Sequence, residues 1–157
     1  NLQTKVELLR GMRAKFDLGQ DFTYGIFNSD ELRVLGGTGL HLRSGPRSRE
    51  IGYWIHQAYA NRGLATEAAG ALTKVAFLID GVDRVEIRCD PHNRASAAVA
   101  SKLGFNHEAT LRRRDVTGRG NWRDTMIWSL FADEFPDSPA AAVTMQAYDV
   151  IGRQIAT

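Results

Sequence analysis

Between two apolar runs the chain reads Ala60-Asn61-Arg62-Gly63-Leu64-Ala65-Thr66-Glu67-Ala68. A glycine where a strand turns into a helix lets the backbone approach a ligand closely. The first amides of that helix have no intrahelical partner, and the macrodipole favours an anion beside them. Arg62 adds a cation and Thr66 a hydroxyl. Residues of these types in this order suit a phosphate or pyrophosphate. The same residues also suit a tight helix start that binds nothing. The segment is not a P-loop, because no Gly-Lys-Ser/Thr follows at the right distance. Its glycines do not match the dinucleotide fingerprint G-x-G-x-x-G either. Gly36-Gly37-Thr38-Gly39 reads only as the start of a strand.

The elements that would position this segment can be read from periodicity. Thr4-Lys5-Val6-Glu7 fits a capping box, and Leu8, Leu9, Met12 and Phe16 follow at helical spacing up to Gly19. Three short runs, around Phe22–Ile26, Gly37–Leu42 and Ile51–Ile55, predict an antiparallel meander. Leu64, Ala68, Leu72, Val75 and Ile79 then carry a helical period as far as Gly81. A strand with Val85, Ile87 and Cys89 on one face ends at Pro91. Asn93 is a candidate N-cap for a helix over Arg94–Leu103. Strands over Phe105–Arg112 and Trp122–Leu130 flank the turn Gly118–Asn121. The class is therefore α+β, or mixed α/β, with a parallel strand–helix–strand crossover at its centre. Pro136-Asp137-Ser138-Pro139 reads as a linker, with a hairpin over Val143–Ile155 beyond it. That divides the chain into a domain over 1–135 and an extension over 136–157.

Composition narrows the function classes. The 157 residues carry 20 Lys and Arg against 18 Asp and Glu, which speaks against a nucleic-acid or membrane-surface protein. No apolar run approaches the length of a bilayer span. The single cysteine, Cys89, excludes an internal disulfide framework and a cysteine-based zinc site. It reads as a small buried apolar residue, and it fits a reducing, cytoplasmic setting. His41, His56, His92 and His107 show no metal-ligand spacing, so no metal is expected. The chain begins at Asn1 rather than Met, which reads as processing or a fragment.

The sequence resembles the GNAT family of N-acetyltransferases, and within it the RimJ/RimL type. The resembling blocks are Ile51-Gly52-Tyr53-Trp54-Ile55 with Arg62–Ala68, then Asp90–Ser96, then Lys102-Leu103-Gly104-Phe105, then Trp122-Arg123-Asp124. They occur in order over about Phe22–Phe131. The resemblance implies the GNAT fold, a mostly antiparallel central sheet with flanking helices, here without its first strand and helix. It implies acetyl-CoA as co-substrate, with an amine acceptor that is a protein N-terminus or a small amine. The cofactor-binding set it implies is Ile55, Gln57, Arg62, Gly63, Leu64, Ala65, Thr66, Asn93, Ser96 and Lys102. The pyrophosphate would lie on the loop 61–66, and the pantetheine arm would pair along the strand ending at Ile55. Backbone groups near Ile55 would face the thioester carbonyl, where acyl transfer builds negative charge.

Two catalytic residues follow from the same resemblance. Ser96 would face the sulfur of CoA and give a proton to the departing thiolate, or it merely caps its turn. Asp115 would take the proton of the amine through water, or it is a solvated carboxylate in Arg112-Arg113-Arg114-Asp115. The arginines around it would lower its basicity. Asp124 and Glu50 are weaker candidates, read as structural. The sequence departs from the family pattern at Ala60, where a Gln or Arg is usual, and at Ala100, where many members carry a proton-donating Tyr. These departures keep open a non-catalytic acyl-CoA-binding module on the same fold. The arginine-rich segment keeps open nucleic-acid binding, against which stands the lack of any such motif. The hairpin expected at the C-terminal end could cover a sheet edge or join two copies in a homodimer.

Overall fold

A computed structural model describes residues 1–156. Helix α1 spans Leu2–Asp17. Strands β1 (Phe22–Phe27), β2 (Val34–His41) and β3 (Ser48–Ile55) follow, and a 3-10 turn over Gln57–Tyr59 leads into α2 (Leu64–Leu78). Next come β4 (Arg84–Cys89), α3 (Arg94–Lys102), β5 (Asn106–Val116) and β6 (Trp122–Phe131). Two 3-10 turns, Phe135–Asp137 and Pro139–Ala142, precede a small hairpin of β7 (Ala147–Tyr148) and β8 (Gln154–Ala156).

The first six strands form one sheet in the order β1-β2-β3-β4-β6-β5. Every neighbouring pair is antiparallel except β3 and β4, which are parallel. The meander and the central crossover are therefore as the periodicity predicts. The parallel pairing runs only from Ser48↔Arg84 to Ile51↔Ile87. Beyond it β3 continues to Ile55 on β2 alone, while Arg88 and Cys89 pair only with β6. The sheet opens at its centre into a V.

The core lies under that V. Leu40, Ile51, Val85, Ile87 and Leu130 on the four central strands pack with Leu72 and Ala76 of α2 and Leu103 after α3. Small residues let α2 lie close. A Cβ on Gly70 would stand 2.6 Å from Val143 Cγ2 and 3.1 Å from Leu103 Cδ2. Thr73 is fully buried and satisfies its hydroxyl by donating to the Ala69 carbonyl at 2.7 Å.

Several expectations change. The cap of α1 is Asn1, whose Oδ1 accepts the Thr4 amide at 2.9 Å, so the box at Thr4–Glu7 is not the start. Leu8 and Leu9 on that helix are exposed, and only Phe16 packs edge-on to Phe22 and Tyr24. β5 does not stop at Arg112. It continues through a bulge between Leu111 and Asp115, with Arg113 at φ 47° and its amide on Asp124 Oδ1 at 2.9 Å. Pro136–Pro139 is not an open linker. Phe135 and Ala140 are buried in the core, Phe135 stacks on Phe77 at 4.8 Å, and Pro139 abuts Gly104. Val143 packs against the core ahead of the hairpin rather than forming a strand, so the expected hairpin is shorter. No described helix is long and apolar enough to cross a membrane.

Candidate active site

The register of β2 and β3 decides which backbone groups face the V. The His56 amide donates to the Leu35 carbonyl at 2.8 Å. Antiparallel ladders alternate, so Trp54 and Gly52 also bond toward β2, across from Gly37 and Gly39. The N–H and C=O of Tyr53 and Ile55 then point away from β2, into the opening left by β4. They form a short free strand edge of known direction, ready to pair with an extended ligand.

One cleft of about 510 Å³ runs along this edge to the start of α2. Gly63 caps α2 in the left-handed region, at φ 82°, with no side-chain cap. The helix closes its first turn from Glu67 N–H to Gly63 C=O at 3.0 Å. The amides of Leu64, Ala65 and Thr66 are therefore the donors a helix start leaves over. All three residues line the cleft, together with Arg62, Ile55, Asn93, Ser96 and Lys102. The guanidinium of Arg62 rests on the Tyr59 ring, 5.5 Å from its centroid, and its Nη2 donates to the Ala58 carbonyl at 3.3 Å. Of the cofactor set, only Gln57 lies outside the lining, exposed in the 3-10 turn. Unpaired amides, Arg62 and Lys102 in one groove form a cradle for a polyanion. Ala60 lines the same groove without adding charge.

A second cleft of about 570 Å³ lies across the opening. Its charged lining is Arg43, Glu50, Arg88, Asp90, Arg114, Asp115 and Arg123. The two clefts share Tyr53, Asn93 and Ser96. At this junction the Tyr53 hydroxyl and Ser96 Oγ are 2.8 Å apart. Asn93 Oδ1 accepts the Ser96 amide at 3.1 Å, so Asn93 is the cap and the Ser96 hydroxyl is free for Tyr53. Burial pushes the Tyr53 phenol up, against the lowering effect of the Ser96 hydrogen bond. Burial likewise pushes up the Cys89 thiol, which lies beside Ser96 and Trp128. Both groups are neutral at physiological pH. Tyr53 was visible in the sequence only as one aromatic in a strand. Its role follows from the helix α3 that places Ser96 opposite it.

The carboxylates of the second cleft are all held by arginine or by the backbone. Glu50 is 6% exposed, and Arg43 Nη2 donates to its Oε1 at 2.7 Å, with Arg88 on its other side at 3.6 Å. Glu86, its register partner on β4, is 5% exposed and ion-paired to Arg84 and Arg88. Two nearly buried glutamates side by side require these cations. Asp115 lines the cleft mouth and pairs with Arg123. The Arg123 hydrogen bond, with the Val116 amide, holds its carboxyl below the usual range. Asp90 accepts the His92 amide at 2.8 Å and shapes the turn into α3. Ala100, the position at which the sequence departs from the wider family pattern, is fully buried.

The splayed sheet thus holds a groove of unpaired amides and cations on one side and a polar cleft on the other. The family description for the acetyltransferase (GNAT) domain matches residues 1–106, and the chain belongs to that family. It is similar to the probable N-acetyltransferase YjcK of Bacillus subtilis, with 27% identity over 74% of this chain and 65% of that one. It is also 27% identical to the ribosomal protein uS5-alanine N-acetyltransferase of Escherichia coli, over 71% of this chain and 58% of the relative. Among solved structures it matches Mycobacterium smegmatis RimJ in complex with CoA-disulfide, with a TM-score of 0.79 and 28% identity. That match covers 88% of this chain and 66% of the other. The chain thus spans less than two thirds of the length of these two curated relatives.

Proposed function

We propose that this chain carries the catalytic centre of an acetyl-CoA-dependent N-acetyltransferase that acts on a primary amine. The carrying observation is the junction at which the two clefts share Tyr53, Asn93 and Ser96. The cradle at Arg62–Thr66 takes the pyrophosphate, with Lys102 as a further cation. The pantetheine arm pairs with the free edge at Tyr53 and Ile55. The acetyl thioester then lies at the junction, where a fixed backbone amide of that edge stabilises charge on its carbonyl oxygen.

The amine enters from the second cleft. Its nitrogen attacks the carbonyl carbon, the C–N bond forms, and the C–S bond breaks. The thiolate takes its proton from Ser96 Oγ, Tyr53 O–H re-supplies Ser96 along their 2.8 Å contact, and the proton released by the new amide nitrogen restores Tyr53. This pair answers the absence of a tyrosine at Ala100. Asp115 is less suited to accept the amine proton, because Arg123 holds it ionised. Its stronger role is to fix Arg123 at the mouth. The RimJ and uS5-alanine acetyltransferase likeness favours a protein N-terminus as acceptor over a small amine. The excess of arginine over free carboxylate in the cleft disfavours a polycation.

The test is acetyl-CoA turnover, read as thiol release, on a panel of peptides with free N-termini beside a small polyamine. Release dependent on peptide supports the reading. Tight acetyl-CoA binding with no release on any amine would replace it with a binding module, which Ala60 and Ala100 would then explain.

A further inference from the structure

We propose that His41, oriented by Asp21, is the base that takes the proton of the acceptor amine, an assignment that rests on the acetyltransferase reading. His41 ends β2 and Asp21 precedes β1, and the register Phe22↔Leu40 brings them side by side. Asp21 Oδ1 lies 2.7 Å from His41 Nδ1. Both side chains are largely covered, at 18% and 30% exposure. A carboxylate on Nδ1 holds the proton there and leaves Nε2 as the free lone pair.

The ring is seated where only glycine permits. A Cβ on Gly39 would stand 2.9 Å from His41 Cε1 and 3.0 Å from Nε2. A Cβ on its register partner Gly52 would stand 3.1 Å from Nε2. The Gly36-Gly37-Thr38-Gly39 run thus contributes one wall of a recess for imidazole, and Gly52 the other. The ring lies over Gly39 and Gly52, and Gly52 itself lines the second cleft. Nε2 lies over Gly52 at the border of that lining, which His41 itself does not join, and has no hydrogen-bond partner among the described residues.

The charged groups around it leave room for this role. Arg43, after β2, approaches the same face of Gly52 but is paired to Glu50 of β3, the register partner of His41. Arg88 of β4 is shared between Glu50 and Glu86, and Asp115 of β5 is tied to Arg123 of β6. Arg114 of β5 also lines the cleft as a cation, and among the described residues His41 Nε2 has no hydrogen-bond partner. The step balances simply. The ammonium of the acceptor gives one proton to Nε2, and the imidazolium is stabilised by Asp21. The freed lone pair attacks the thioester, the C–N bond forms and the C–S bond breaks, and the thiolate takes a proton from the Ser96–Tyr53 pair. The new amide nitrogen gives up its second proton, which restores that pair, and the first proton passes from His41 to solvent, so one proton is released per turnover.

The experiment compares the wild type with His41→Gln, His41→Ala and Asp21→Asn on acetyl-CoA and peptides with N-terminal alanine. General-base loss predicts a kcat about 100-fold lower in His41→Gln, with acetyl-CoA affinity unchanged. The fall in wild-type kcat/KM toward acid pH should vanish with it. Asp21→Asn should keep that limb at a rate about tenfold lower, and added imidazole should partly rescue His41→Ala. If His41→Gln does not fold, the Asp21→Asn rate and the imidazole rescue decide the matter. A wild-type rate and pH profile in a folded His41→Gln overturns the assignment while leaving the acetyltransferase reading intact. A wild type that binds acetyl-CoA but turns over neither these peptides nor any other amine overturns both.

Discussion

The hydroxyls of Tyr53 and Ser96 meet at 2.8 Å across the splay between β3 and α3. One comes from a strand edge and the other from the first turn of a helix. The phenol also reaches the Ser96 carbonyl at 3.3 Å, and the Cys89 thiol hydrogen-bonds the Ser96 side chain. If the two hydroxyls form the proton path to the thiolate, removing either should slow the chemical step and leave binding alone. Ser96→Ala and Tyr53→Phe should each lower kcat by about 10- to 100-fold, with the KM for acetyl-CoA within about twofold of wild type. The double variant should be little worse than either single one, since the two act as a unit. Steady-state kinetics on the best peptide of the panel checks this, and additive losses would separate the two residues.

The C-terminal turns belong to the core, so they should matter for stability. Phe135 is 6% exposed and stacks on Phe77 of α2. Truncation to alanine leaves a cavity that rigid neighbours fill only in part. Phe135→Ala should destabilise by about 3–5 kcal/mol, measured by urea unfolding with an unchanged m-value. A loss under about 1 kcal/mol would mean that residues 135–143 are only loosely attached.

Acid should weaken the fold through carboxylates that arginine holds ionised. The Arg47 hydrogen bond is the main cause that lowers the Asp83 carboxyl, and the Arg123 hydrogen bond does the same for Asp115. A carboxylate depressed in the folded state contributes stability above its unfolded value, and that contribution is lost as pH falls through the folded value. The melting temperature should therefore begin to fall below about pH 4. Asp83→Asn should shrink that fall slightly, since the pair is exposed. The melting temperature at neutral pH should change little. A steeper acid fall in the variant would reverse the sign argued for this pair.

Much of this fold is legible in the chain because local pattern and tertiary packing agree. The Leu64–Ile79 periodicity, the Asn93 cap and the alternation in Trp122–Leu130 all recur as elements at nearly the expected bounds. The cradle proposed for phosphate was legible for the same reason, since Gly63 and the start of α2 are neighbours in sequence. What was not legible is what arises between strands. The pairing of Tyr53 with Ser96 and of His41 with Asp21 depends on register and on the parallel splay, which spacing alone does not show. The glycines at 36–39 looked like an ordinary strand start until the side chains lying over them were seen. The bulge at Arg113 was hidden because a strand that continues past a left-handed residue leaves no hydrophobic period to read.

The most direct test of the account is acetyl-CoA binding by calorimetry, with wild type beside Gly63→Asp. Gly63 sits at φ 82°, and a Cβ added there meets no atom within 4 Å beyond its chain neighbours. The added side chain puts a carboxylate where the phosphates should lie. Left-handed backbone costs a non-glycine residue about 1–2 kcal/mol, so a melting curve verifies that the variant is folded. The account predicts saturable wild-type binding and a loss of at least about 100-fold in a folded Gly63→Asp, since each factor of ten is about 1.4 kcal/mol. Equal affinity in the two proteins would contradict a pyrophosphate cradle at the start of α2.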